Sequence, residues 1–378
     1  MKRIGFILFF CTVMTVLPLA GAGLKGHALS SYFEFPPRTQ YIEHAPFSWP
    51  VFIGLSAVIL AVMLPFLYRI IKANSRIKTG GKGAVYPGGD AIAPNRSDAA
   101  SAGNRPIPWW GWLSIALGLL FWLLAWTRFQ WMEPLQPYTF TPQWLCYIVT
   151  VNALTYRRTG RCLLTHQTGF LLRLFPLSIG FWWFFEYLNR FVQNWHYLSC
   201  DDFTPLQYFV AASLSFSTVL PAVLSSEEWL AATPRSSAGL EHLRPIHFHR
   251  PKLMAWIFFF LSAAGLFFIS WYPDGLFPLL WAAPLLLLIS LKEIANLPPL
   301  FKELGTGDWS RIYRFCLAGL LCGFFWECWN WHSFAKWVYS VPFVNRFPLF
   351  EMPILGYSGY LPFGLECAAV ADWLRKRQ

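Results

Sequence analysis

Long apolar runs alternate with short polar stretches along almost the whole chain. After an N-terminal run from Ile4 to Ala20, they cover residues 49–71, 109–127, 138–155, 168–188, 205–227, 253–272, 276–292, 312–332 and 352–373. Most approach the roughly 20 residues that a helix needs to cross a bilayer. They are apolar on all sides, and no ten-residue segments alternate as barrel strands do. The pattern predicts an all-α fold, a polytopic transmembrane helical bundle of about ten spans. The N-terminal run follows Met1-Lys2-Arg3 and ends in Ala20-Gly21-Ala22. That arrangement fits a secretory signal peptide with its cleavage site, and equally a retained first helix.

One stretch breaks the pattern. Residues 72–108 are rich in Gly, Ala, Ser, Asn and Pro, with basic residues and few large apolar ones. They read as a flexible linker without a core. Its basic beginning, Lys72 to Lys82, suits anionic lipid headgroups.

Beyond the linker the chain repeats itself. Residues 173–221 recur at a constant offset as residues 314–362. Arg173 falls on Arg314, Glu186 on Glu327, Asn189 on Asn330, and Leu220-Pro221 on Leu361-Pro362. After a one-residue slip, Trp195 and Tyr197 match Trp337 and Tyr339. An internal repeat decides architecture. This one predicts a direct four-plus-four helix repeat, with an even number of spans per copy, so both copies insert the same way round. The expected organisation is 1–23, signal peptide or first helix; 24–71, outer loop and helix; 72–108, linker; 109–248, first repeat; and 249–378, second repeat.

Charge then orients the bundle. The net charge is +11, with 30 Lys and Arg against 19 Asp and Glu. The basic residues gather in alternate loops, as at Arg157, Arg158 and Arg161, or Arg244, Arg250 and Lys252. The positive-inside rule accounts for this distribution, so a nucleic-acid partner is not needed to explain it. It places the C-terminus in the cytoplasm of a bacterial inner membrane, and the N-terminus as well if the leader is retained. The eight cysteines are scattered without a CxxC, which argues against a disulfide framework and a cysteine metal site. Cys200 alone falls in an outer loop.

Few polar residues survive in the spans. Glu186 and Asn189 stand at i and i+3 on one helix face, and Glu327 and Asn330 repeat the spacing. Both pairs lie in the last turns of a span, near the outer surface. A carboxylate in such a setting faces a bundle interior, a partner or a water cavity. Two that converge can bind a cation, share a proton, or serve as acid and base. Alternatively, each bonds its own neighbours and only locks packing. Trp183 and Trp326 adjoin the glutamates, and Trp195, Tyr197, Trp337 and Tyr339 follow in the outer loops. These rings form either an interfacial belt or the lining of a pocket for an apolar or cationic ligand.

Arg173 and Arg314, near the inner ends, either snorkel to headgroups or pair with Glu227, Glu228 or Glu366. His242, His247 and His249 lie in one inner loop without a completing ligand, and no CxxCH, P-loop, dinucleotide fingerprint or nucleophile elbow occurs. No metal site is expected, and no cofactor is indicated.

Over about 45 residues the C-terminal region resembles the lycopene-cyclase-type membrane domains of carotenoid synthesis. The resemblance rests on Trp326-Glu327, Trp337-Val338-Tyr339 and the helix start from Glu351 to Pro353. The Glu-Met-Pro order here departs from that family's Pro-x-Glu order. The resemblance implies cofactor-free acid–base work on an isoprenoid.

The expected function is therefore an aromatic-lined acidic site near the outer membrane face for a lipid-like or isoprenoid ligand. Glu186 and Glu327 are its candidate catalytic residues. Asn189, Asn330, Trp183, Trp195, Tyr197, Trp326, Trp337, Tyr339 and Glu351 are its candidate ligand-binding residues. Membrane lipid is the expected partner. A repeat-built transporter and a structural subunit of a membrane complex are the alternatives.

Overall fold

The computed structural model of the chain describes residues 3–78 and 105–374. Helices occupy each apolar run: α1 (Arg3–Leu24), α2 (Trp49–Lys78), α3 (Trp109–Trp126), α4 (Phe140–Thr159), α5 (Thr168–Asn189), α6 (Pro205–Phe216), α7 (Val219–Ala231), α8 (Pro251–Phe267), α9 (Leu279–Ile294), α10 (Ser310–Asn330) and α11 (Tyr360–Ala371). Among the described residues, six helical stretches are long and apolar enough to cross a membrane. They are Gly5–Leu24, Trp49–Arg76, Trp109–Trp126, Thr168–Asn189, Pro205–Ala231 and Ser310–Asn330. With a large buried aromatic cluster, they fit an integral membrane protein.

Two runs differ from the expected continuous helices. The run at 205–227 breaks at Ser217 and Thr218, between α6 and α7. There Ser178 of α5 donates its hydroxyl to the Phe216 carbonyl (2.5 Å) and accepts the Leu220 amide (3.0 Å), so a side chain satisfies what the broken ladder leaves open. The run at 352–373 becomes helical only at Tyr360. Residues Met352–Pro353 and Ile354–Gly359 form a short strand and a 3-10 turn instead, where Pro353, Gly356 and Gly359 disfavour a helix. The linker also differs: α2 continues to Lys78, past the expected boundary, while its remaining expectation falls largely on residues 79–104, outside the described residues.

Small residues draw helices together. Ala20-Gly21-Ala22, the string that resembles a cleavage site, is a packing patch between α1 and α8. A side chain at Gly21 would run into the Phe267 carbonyl. The Gly21 carbonyl accepts Trp271 Nε1 at 2.7 Å, and Lys25 Nζ bonds the Ser270 carbonyl at 3.1 Å. By contrast, α2 buries none of its described side chains. Phe66, just past the middle of the helix, meets Trp309 and Tyr313, and Trp49 and Phe52 at its start meet Phe347.

The same neighbours recur in both halves of the body. α3 packs on α4 as α8 does on α9, α5 on α7 as α10 on α11, and α4 on α7 as α9 on α11. The halves also exchange contacts. Trp144 of α4 meets Trp326 of α10 (centroids 5.1 Å apart), while Trp281 of α9 meets Phe185 of α5 (5.2 Å). α7 and α11 begin at positions related by the repeat's offset, Val219 and Tyr360.

At one end of the body, two strands join the halves. β1 (Trp195–Leu198) pairs antiparallel with β2 (Lys336–Tyr339), placing Trp195 opposite Tyr339 and Tyr197 opposite Trp337. A strap, residues 29–48, crosses the same end. Arg38 Nη2 donates to the Asp201 carbonyl (2.6 Å), the Ile42 amide to Gln193 Oε1 (3.0 Å), and the Ser48 amide to the Phe343 carbonyl (2.8 Å). His44 Nδ1 lies 2.7 Å from Asp274 Oδ1.

Candidate functional site

The last turn of α5 and the last turn of α10 each present a glutamate and an asparagine to the chain that follows. The asparagines act on backbone. Asn189 Nδ2 donates to the Trp195 carbonyl (2.8 Å), and its Oδ1 accepts the Asn194 amide (2.9 Å). Asn330 Nδ2 donates to the Trp337 carbonyl (2.7 Å), and its Oδ1 accepts the Trp337 amide (2.9 Å). Each asparagine thus clasps its strand to its helix end and sets the strand's aromatic rings over the glutamate one turn earlier.

The glutamates collect those rings. Glu186 Oε1 accepts from Trp182 Nε1 (3.1 Å), Trp195 Nε1 (3.1 Å) and Tyr197 Oη (2.6 Å). Glu327 Oε1 accepts from Tyr339 Oη and Tyr360 Oη, both at 2.6 Å. Trp337 reaches it indirectly, donating Nε1 to Tyr339 Oη at 2.7 Å. Glu327 is fully buried, and its Oε2 has no hydrogen-bond partner among the described residues. Burial, and then the neighbouring glutamate, hold the Tyr197 and Tyr339 hydroxyls well above the ordinary phenol range. The phenols therefore stay protonated and spend their protons on the carboxylates. Their oxygens are left with lone pairs to offer, which suits a ligand hydroxyl or cation.

These rings enclose a cavity of about 130 Å³. Trp195, Tyr197, Trp337 and Tyr339 form one wall, and Trp182 and Trp326 line it from α5 and α10. α6 contributes the small side chains Ala211, Ala212 and Ser215, and Trp281, Tyr208, Tyr360, Phe140, Phe203 and Phe216 complete the aromatic lining. Neither Glu186 nor Glu327 lines this space; each stands behind its tyrosines. A second cavity of about 70 Å³ lies beside it and is lined by Glu186, Asn189, Arg190 and the strap residues Pro36 to Gln40.

The structure brings together five of the residues singled out as ligand-binding, Trp195, Tyr197, Trp326, Trp337 and Tyr339. It does not bring in Trp183, whose Nε1 bonds Ser213 Oγ (2.9 Å) and whose ring stacks on Phe209. Glu351 is held by Lys336 Nζ at 2.5 Å and does not line the cavity. No hydrogen bond joins Glu186 to Glu327 among the described residues; each has its own donors. At the other end of α10, Arg314 pairs with Glu227 (2.9 Å), whereas Arg173 bonds the Gly169 carbonyl of its own helix (2.8 Å). Among the described residues no group of three or more His, Cys, Asp or Glu is arranged for a metal.

Sequence reasoning missed Tyr360. At the repeat's offset its counterpart is Val219, so comparing the halves hides it. Tyr208 and Trp281 were missed for the same reason, being unmatched between the copies.

Cys200 lines both cavities and gives a direct probe of this end of the molecule. Burial, with Asp201 next, pushes its thiol from 9.0 up to about 11. The reactive thiolate is then about 100-fold scarcer than for a free cysteine near neutral pH. A membrane-impermeant maleimide is expected to label Cys200 slowly at pH 7 and faster with each step in pH towards 11. Fast labelling at pH 7 would contradict the enclosed geometry.

No family model, curated protein or solved structure matches this chain.

Proposed function

We propose that the protein holds a lipid-like or isoprenoid molecule in the aromatic cavity, at the outer face of a bacterial inner membrane. One observation carries this reading. The cavity wall takes Trp and Tyr from both halves of the chain, and its tyrosines are anchored on two buried glutamates. Aromatic side chains supply most of the lining, and Tyr197, Tyr208, Tyr339 and Tyr360 bring phenol groups to it, so the space favours an apolar body with a hydrogen-bonding group.

The duplication is part of the proposal. In a twofold contact, residue i meets j and j meets i. Trp195 opposite Tyr339 and Tyr197 opposite Trp337 meet that requirement under the repeat's own correspondence. The recurring helix neighbours and the matching starts of α7 and α11 point the same way. We read the body as two four-helix copies about an axis along the membrane normal, with ten spans in all. Both termini then lie on the cytoplasmic side, as the basic loops favour. α1 is read as a retained helix, because its removal would strip α8 of the Gly21 contact. Intact mass spectrometry of the purified protein should find residues 1–22 present; a mass short by that segment would return it to a signal peptide.

Filling the cavity tests the ligand. Ala212→Trp places a large ring in the space from the α6 side. Native mass spectrometry of gently solubilised protein should find a bound lipid-like mass on the wild type, reduced at least tenfold in Ala212→Trp at unchanged thermal stability. Equal retention by both proteins, or none by either, would leave the aromatic cluster as a packing element of a structural subunit.

One observation favours a transport reading as well. The helix interruptions before Val219 and Tyr360 fall at matching positions, as in discontinuous transporter helices. Transbilayer movement of the retained lipid in proteoliposomes separates transport from binding or chemistry on one face.

A further inference from the structure

We infer that the small polar cavity beside Glu186 takes the head of the same ligand, and that this head is neutral and carries several hydroxyls. The inference rests on the aromatic cavity holding the apolar part. The two cavities are neighbours by construction, since Trp195, Tyr197, Cys200 and Tyr208 line both. Their characters are opposite. One is walled by indole and phenol rings; the other is lined by Glu186, Arg190, Arg38, Asp201, Gln193 and His196. An apolar chamber joined to a polar one by a shared wall fits an amphiphile better than a hydrocarbon or a free polar solute.

The polar chamber's chemistry limits the head. It contains two guanidinium groups and two carboxylates. His196 adds no charge at neutral pH, because burial holds its imidazole below the usual range. Arg38 spends Nη2 on the Asp201 and Phe203 carbonyls, and Arg190 spends Nη2 on the Ser31 carbonyl and, at 3.4 Å, on Glu34. A head with net charge would therefore approach one charge of its own sign for every opposite one. Donors and acceptors both remain open. Arg190 Nε is buried with no acceptor, Glu186 accepts all three of its hydrogen bonds on Oε1, and Arg38 and Asp201 are engaged only through Nη2 and the backbone carbonyl. Free donors beside free acceptors are what hydroxyls, each donor and acceptor, satisfy. The volume, about 70 Å³, admits roughly five to seven water-sized groups at 10–15 Å³ each. That is enough for one small polyol or sugar ring, not a chain of them.

Glu186 thereby has two separate jobs. Its Oε1 anchors the rings of the apolar chamber, and its Oε2 faces the head.

Tail-matched probes separate this inference from the reading beneath it. Purified protein is titrated with dodecyl glucoside, dodecylphosphocholine, dodecyl sulfate and dodecanol, with methyl glucoside as the tailless control. Quenching of the cavity tryptophans reports binding. The glucoside should bind at least tenfold tighter than the other three dodecyl probes, and methyl glucoside at least tenfold more weakly than dodecyl glucoside. Glu186→Gln replaces Oε2 by a donor and should erase the glucoside's advantage over dodecanol. Arg190→Lys, which keeps the charge but removes Nε, should act in the same direction if the glutamine variant folds poorly. Equal affinity for all four dodecyl probes overturns the head assignment and leaves the apolar cavity standing. Methyl glucoside binding as tightly as dodecyl glucoside overturns the amphiphile. Absence of binding by any probe overturns both readings together.

Discussion

Replacing Glu327 by alanine is expected to cost about 1–3 kcal/mol of stability and to release any bound ligand. Two buried tyrosine hydroxyls, on Tyr339 and Tyr360, lose their only common acceptor. An unsatisfied buried hydroxyl costs about 1–3 kcal/mol in a soluble core. Inside a membrane the measured worth of such a bond averages nearer 0.6 kcal/mol, because the unfolded chain also finds partners. Two bonds then lie between about 1 kcal/mol on the membrane scale and about 2–6 kcal/mol on the soluble one, and the expected loss takes the lower part of that span. Glu327→Gln is the informative companion, since its carbonyl oxygen still accepts both tyrosines. Its amide nitrogen takes the place of Oε2, which is buried and unpartnered, so the glutamine variant should melt close to the wild type. Ligand retention then asks whether charge matters beyond positioning: loss in Glu327→Gln assigns the carboxylate itself a role, and retention assigns it to anchoring the phenols. A Glu327→Ala protein that melts like the wild type and keeps its ligand would remove this residue from the site.

The second large effect should come from a residue with no side chain. Gly319→Val is expected to destabilise the protein by about 3 kcal/mol or more, the upper end of what overpacking costs. An added Cβ at Gly319 would overlap the Tyr360 carbonyl and crowd the Gly364 backbone, and one at Gly364 would overlap the Phe315 carbonyl. Backbone meets backbone here, so no rotamer change relieves the clash. Small residues permit this close approach of α10 and α11, as they do between membrane helices generally. At Gly323 an added Cβ meets the Tyr360 ring instead. Gly323→Ala should therefore be milder on melting but should lever the Tyr360 hydroxyl off Glu327 and weaken ligand retention. Thermal melting of both variants in one detergent, with retained ligand read by native mass spectrometry, distinguishes the two. Wild-type stability for Gly319→Val would mean that the two helices do not pack as closely as described.

Much of this arrangement was legible beforehand, and the failures have physical causes. Apolar length alone located the helices, because a span needs little else. It did not show that the runs at 205–227 and 352–373 are interrupted, since isolated Ser and Thr, as at Ser217 and Thr218, barely dent the apolar average of a long run, and a Ser178 hydroxyl from another helix repairs the first break. Comparing the copies picked out Glu186, Asn189 and their counterparts, the residues that repeat. It was blind to Tyr360, which stands where the other copy has Val219. The sequence reading also chose Trp183 and passed over Trp182, although helical spacing makes the two equivalent, being three and four residues before Glu186 and both within reach of it. Only the packing of α6, which draws Trp183 to Ser213, separates them. The asparagines were read as ligand contacts; their amides bond strand backbone, a use that one dimension does not display, and Asn189 also lines the smaller cavity.

The pairing of β1 with β2 has a consequence for biosynthesis. β1 is made early and can find its partner only after the ribosome has produced most of the second copy. Contacts so distant along a chain form late, because loop closure precedes any reward. Until then Trp195 and Tyr197 stand with Glu186 behind them and no opposing strand. The aromatic cavity is thus the last part of the molecule to mature, and a prematurely terminated chain holds half a wall. Two fragments severed between the copies, each with its own helices, would still carry complementary strand edges through which to reassemble.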